Sequence, residues 1–77
     1  MMAHHYSRWQ RSADHRYYEL YLRQDLLGDW ALTRVWGRRQ SALGRVNTQG
    51  YASLQVAMDQ LLAELKRRSK RGYARLS

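Results

Sequence analysis

The hydrophobic period of this chain changes once, at Ser53. Before it, β-favouring runs alternate between two faces; after it, apolar residues recur every three or four positions. Side chains alternate across a strand and repeat every 3.6 residues around a helix, so the switch calls for strands followed by one helix. In residues 16–23, Tyr18, Leu20 and Leu22 fall on one face, with Tyr17, Glu19 and Tyr21 on the other. In residues 30–38, Trp30, Leu32, Arg34 and Trp36 share one face, and Ala31, Thr33 and Val35 the other. Residues 45–50 read as a third, weaker strand, with Val46 and Thr48 opposed to Asn47 and Gln49. Gly28-Asp29 supplies turn chemistry between the first two runs. Short links between consecutive strands make an antiparallel meander.

Ser53 is placed to cap the helix that follows. Leu54, Ala57, Met58, Leu61, Leu62 and Leu65 form its apolar stripe, and Gln55, Asp59, Gln60 and Glu64 occupy the opposite face. The pattern runs to about residue 70, where Gly72 is a fitting stop. The helix needs an apolar surface to cover, and the small side chains Ala31, Thr33 and Val35 leave room for it. The expected fold is α+β: a small antiparallel sheet, a meander of three or more strands, with one long C-terminal amphipathic helix packed on one face. Gly37 relieves strain or permits a bulge where the second strand ends. Residues 1–15 are polar and aperiodic. They read as a flexible basic N-terminal arm with Trp9 as its only large anchor, ahead of a domain over 16–73 and a C-terminal tail over 74–77.

With 77 residues there is room for one domain with a modest core. No cysteine is present, which removes disulfides, thiolate metal sites and cysteine nucleophiles. His4 and His5 lack a third ligand at fixed spacing, and with His15 they read as solvated, so no metal is expected. No apolar run is long enough to cross a bilayer, and the first residues carry no signal-peptide stretch. The expectation is a cytoplasmic protein that does not engage membrane. Neither a phosphate loop nor a histidine–carboxylate–nucleophile set is visible, so neither catalysis nor a cofactor is expected. Asp25 and Asp29 flank one loop and read as turn residues.

Charge narrows the partner. Fourteen basic residues face six acidic ones. Twelve of the fourteen are arginine, a planar fork suited to phosphates and to stacking on flat rings. Between Trp30 and Met58 lie four arginines and no acid; between Lys66 and Ser77 lie six basic residues and no acid. Such clustering points to a polyanion, although the basic last helical turn also complements the helix dipole.

The triplet Trp36-Gly37-Arg38 closes the second strand. Together with the run Arg16-Tyr17-Tyr18-Glu19-Leu20-Tyr21-Leu22, the Gly28-Asp29-Trp30 turn, Tyr51 before the helix, and Lys70-Arg71-Gly72-Tyr73 after it, the chain resembles the WGR domain. The resemblance extends from about residue 16 to 73. It implies an antiparallel sheet packed with a helix. It also implies DNA binding near strand breaks, as in DNA-dependent poly(ADP-ribose) polymerases; the family also occurs as short stand-alone bacterial proteins, and the chain looks like one of those. Carried across, Trp36 is the stacking group against a nucleotide sugar and Arg38 the polar contact. Many family members follow the triplet with a small or branched apolar residue and a glycine; Arg39 and Gln40 stand there here.

The residues expected to bind nucleic acid are therefore Trp36, Arg38, Arg39, Arg45 and Arg34. Arg34 shares a face with Trp36, and either joins it at the ligand or rests on Trp36 or Trp30. Lys66, Arg67, Lys70 and Arg71 form a secondary basic patch. DNA is favoured over RNA, with weak sequence preference and, by the resemblance, a preference for ends or nicks. The competing expectation is a protein-interaction module, an adaptor or small homodimer using exposed aromatics such as Tyr17 and Tyr21.

Overall fold

The computed structural model describes residues 2–41 and 43–77. Strands β1 (Met2–Arg11), β2 (Arg16–Gln24), β3 (Trp30–Arg38) and β4 (Gly44–Tyr51) precede helix α1 (Leu54–Lys70), and a two-residue strand β5 (Ala74–Arg75) follows it. The sheet order is β4-β3-β2-β1-β5, with every neighbouring pair antiparallel. The α+β expectation holds: the meander of three or more strands has four, with β5 added at the edge beside β1. Among the described residues no helix is long and apolar enough to cross a membrane.

The segment expected to be a loose arm is β1, hydrogen-bonded to β2 along its length and to β5 on its other side. Its inward residues are His5, Ser7 and Trp9. Ser7 is fully buried, and its hydroxyl accepts the Trp9 indole N–H at 3.0 Å and meets His5 Nε2 at 3.0 Å. A buried serine and a half-buried histidine hid the alternation, because period-two patterning is read from apolar residues. The tail expected over 74–77 likewise forms β5, and Leu76 N–H donates to the Arg8 carbonyl at 2.7 Å.

The helix covers the face carrying Leu20, Leu22 and Leu32, all fully buried together with Ala57 and Leu61. Each such leucine contributes roughly 1.5–3 kcal/mol through burial. Trp30 packs against this core. The face offered to α1 is therefore the one bearing Trp30, Leu32, Arg34 and Trp36, and not the small-residue face of Ala31, Thr33 and Val35. Bulky residues win because the helix stands off a sheet by about one side-chain layer, which small residues leave unfilled.

The helix is also rotated from the expected setting. Its buried residues are Ala57, Leu61, Glu64 and Arg68, while Leu62 is 55% exposed. Glu64 thus lies inward, a correction to its placement on the solvent face. Ser53 caps the first turn, its Oγ accepting Val56 N–H at 3.2 Å. At the other end Gly72 adopts φ 84°. Its N–H donates to the Ser69 carbonyl at 3.2 Å, and Tyr73 N–H to the Arg68 carbonyl at 3.0 Å. This pair of bonds is the Schellman ending, which folds the residue after the glycine back onto the last turn. Tyr73 is thereby set beside Arg68.

Candidate functional site

The strand registers place one row of residues across all five strands. Arg75 pairs with Trp9, Trp9 with Tyr18, Tyr18 with Trp36, and Trp36 with Arg45. Two residues further along the same face, Arg11 pairs with Arg16 and Arg16 with Arg38. Three arginines therefore stand abreast at one end of the sheet, roughly 6–7 Å from an aromatic row. Like charges directly opposite one another destabilise a sheet. One carboxylate offsets them: Asp14 lies 2.8 Å from Arg11 and 3.0 Å from Arg16. The Arg11 guanidinium, with Arg16 nearby, holds the Asp14 carboxyl below the usual range. Among the described residues no salt bridge reaches Arg38, Arg39 or Arg45.

Trp36 is half-buried. Its indole stacks on Tyr18, with centroids 5.9 Å apart and planes 17° apart. Tyr18 is anchored from behind, its hydroxyl donating to Glu64 at 3.3 Å. Burial, and then the Glu64 charge, pushes the Tyr18 phenol up. The Arg68 guanidinium sits 4.0 Å from the centroid of the Tyr18 ring and 5.5 Å from that of Tyr73.

Two clefts meet at Trp36. One, of about 240 Å³, is lined by Arg16, Trp36, Gly37, Arg38 and Arg45, with Ser41 and Leu43 on its far side. The other, of about 290 Å³, lies between the sheet and the end of α1. Arg11, Arg16, Arg68 and Arg71 line it, with the aromatic walls Tyr18, Trp36 and Tyr73. Gly37 belongs to the close packing of this corner, since a Cβ there would lie 3.1 Å from the Tyr17 hydroxyl and 3.2 Å from the Leu43 carbonyl. The strand runs on without a bulge in its pairing to β2.

Of the expected residues, Trp36, Arg38 and Arg45 converge in the first cleft. Arg39 does not: it lines a separate hollow with Arg8, Tyr17 and Glu19, on the opposite face of the sheet. Arg34 is committed elsewhere. Its side chain is 14% exposed, its Nε lies 3.2 Å from Glu64, and its Nη1 donates to Asn47 at 3.1 Å. Lys66, Arg67 and Lys70 share a shallow surface on the helix exterior, apart from Trp36; Arg71 alone of that patch joins the second cleft. Sequence reasoning missed Arg11, Arg16, Arg68 and Tyr73. Arg68 follows Ala57, Leu61 and Glu64 at helical spacing, so its inward position was readable once the stripe was set on those residues. Among the described residues no three of His, Cys, Asp and Glu gather as a metal site.

Comparison with known proteins agrees with the triplet at this corner. The family model described as the WGR domain matches residues 3–77, including β1 and β5. Neither a curated protein nor a solved structure matches the chain.

Proposed function

The chain belongs to the WGR-domain family, and on that premise we propose that it is a non-catalytic nucleic-acid-binding module. The observation that carries the reading is the pair of parallel rows on one sheet face: the ring stack Tyr18–Trp36 beside Arg11, Arg16 and Arg38. The half-buried Trp36, backed by the buried Tyr18, supplies a platform for a base or sugar, and arginines track the phosphates. The surplus of unpaired cations there is relieved by a polyanion. Phosphate contacts fix position and carry no sequence information, so binding is weakly sequence-selective. DNA is the ligand we favour over RNA, with ends or nicks preferred as the family implies, in a cytoplasmic setting.

Fluorescence anisotropy on blunt, nicked and single-stranded oligonucleotides across a salt series tests this. Trp36→Ala is expected to lose about 1–3 kcal/mol of binding on substrates that stack. Arg38→Ala is expected to lower the salt slope by about 0.9 on duplex. Equal affinity for closed circular and nicked DNA removes the end preference. No salt-sensitive binding at low ionic strength removes the reading.

A second reading, a protein contact, is favoured by Leu26 and Leu27, 84% and 90% exposed at the tip of the β2–β3 hairpin. Light scattering of the Leu26→Ser/Leu27→Ser double variant checks it, a loss of self-association being the supporting result.

A further inference from the structure

We propose that the cleft between the sheet and the C-terminal end of α1 is a second phosphate-binding subsite, with Arg68 as its floor and Arg11, Arg16 and Arg71 as its rim. The inference rests on the nucleic-acid reading and deepens it. A strand crossing Trp36 has one phosphate beside Arg38 and Arg45 and another beside Arg68, so the indole is straddled.

The cleft is built for an anion. Four arginines line it, and the nearby carboxylates are already engaged: Asp14 by Arg11 and Arg16, Glu64 by Arg34 and Arg67. Arg68 is the unusual member. Its side chain is 8% exposed, yet it reaches Glu64 only at 4.0 Å. Its Nε has no hydrogen-bond partner among the described residues. A buried guanidinium is ordinarily held by a fork of hydrogen bonds, and leaving one donor unmade costs stability. Glu64 cannot complete the fork, because its Oε1 takes Arg67 at 2.7 Å and Arg34 at 3.2 Å, and its Oε2 takes the Tyr18 hydroxyl. The Nε itself is closed to solvent; an incoming phosphate meets the part of the guanidinium that lines the cleft and supplies acceptors there. Tyr18 and Tyr73 hold the guanidinium in place for it. Arg11 steadies the rim by donating to the Arg71 carbonyl at 2.9 Å.

The shared chemistry is a phosphate group, whether a diester within a strand or the monoester of a free nucleotide. The test uses the full chain and the variants Arg16→Gln, Arg71→Gln and Arg68→Gln. Arg71→Gln removes an exposed side chain and spares the fold if Arg68→Gln does not. On an unphosphorylated single-stranded oligonucleotide, each rim variant is expected to lower the salt slope, Arg71→Gln by up to about 0.7. Wild-type slopes in both rim variants, with binding still lost in Trp36→Ala, overturn the subsite and leave the wider reading standing. Should no oligonucleotide bind, the cleft is judged separately by melting temperature. Inorganic phosphate at fixed ionic strength is expected to raise that of the wild type and not that of Arg71→Gln. Absence of that shift in the wild type overturns the subsite. Adenosine monophosphate in place of the oligonucleotide distinguishes a free nucleotide as the source: displacement of bound oligonucleotide in the wild type but not in Arg71→Gln supports the subsite with that ligand.

Discussion

Glu64 Oε1 lies 3.2 Å from Arg34 Nε, joining the inward face of α1 to the middle of β3 directly below the Tyr18–Trp36 stack. Both side chains are nearly enclosed, at 6% and 14% exposure, so solvent screens the pair weakly. Glu64→Gln keeps the shape and strands Arg34 and Arg68. Breaking a buried pair from one side costs about 3–5 kcal/mol, out of the roughly 4–12 kcal/mol expected for a domain this long. A large fall in the urea midpoint is the expected result. Adding Arg34→Met to Glu64→Gln recovers part of the loss, since one stranded cation is then gone. An unchanged midpoint for Glu64→Gln would show that water already solvates these arginines.

The Tyr18 hydroxyl bonds Glu64 and its ring stacks on Trp36, so on the proposed function the two parts of the side chain separate stability from binding. Tyr18→Phe removes the donor to Glu64 and is expected to cost about 1 kcal/mol of folding stability with nucleic-acid affinity unchanged. Tyr18→Leu keeps an apolar filler but withdraws the ring from beneath Trp36, so affinity falls as well. Urea denaturation and anisotropy on the two variants separate the roles; equal affinities would deny the ring a part in binding.

Gly37 and Gly44 face each other across β3 and β4, and the Tyr17 hydroxyl lies over both. A Cβ on Gly44 would meet that hydroxyl at 2.9 Å, the free end of a side chain that can swing away. A Cβ on Gly37 would also meet backbone, at 3.2 Å and 3.3 Å, which cannot. Gly37→Ala is therefore expected to cost about 1–3 kcal/mol by overpacking, and Gly44→Ala less. Introducing Tyr17→Phe should rescue Gly44→Ala more than Gly37→Ala in a thermal-melting cycle. The reverse order would mean that the ring, not the strand spacing, demands glycine in the triplet.

His5 makes stability depend on pH. Burial, and then the positive charges of Arg75 and His4, lowers its pKa from the ordinary 6.5. Across the strand pair His5 faces Leu22, and its ring meets the Ser7 hydroxyl. The unfolded chain thus takes up the proton first as pH falls. Stability present above about pH 6.5 declines through the window between that value and the lower folded pKa. Melting temperature is expected to drop between pH 7.5 and 5.5, and His5→Gln to flatten that dependence. A wild-type slope in His5→Gln would assign it to another group.

Much of the frame was legible in the residues themselves. The alternation in β2 and β3, the apolar recurrence in α1, the Ser53 cap and the Gly72 stop are local signals, set by the chain's own geometry within a few positions. β1 was not legible, because its inward residues His5 and Ser7 satisfy one another through hydrogen bonds, and that is invisible until Trp9 completes the set. Of the residues grouped with the triplet, Trp36, Arg38 and Arg45 line one cleft, whereas Arg34, grouped with Trp36 by a shared strand face, is held by Glu64, and Arg39, grouped by its place next to the triplet, lines a hollow on the opposite face.

By itself, then, the amino-acid sequence determined strands β2, β3 and β4, the helix, the excess of arginine and the place of Trp36 on its strand face, since each follows from periodicity, capping or composition. Only the tertiary structure decided which faces meet and which cations gather. Arg11, Arg16, Arg68 and Arg71 come from the N-terminal hairpin and the helix end, about 60 residues apart. Whether a buried arginine is neutralised or left with a free donor depends on which carboxylate stands opposite it. That pairing exists only after the helix has settled on the sheet with Glu64 turned inward.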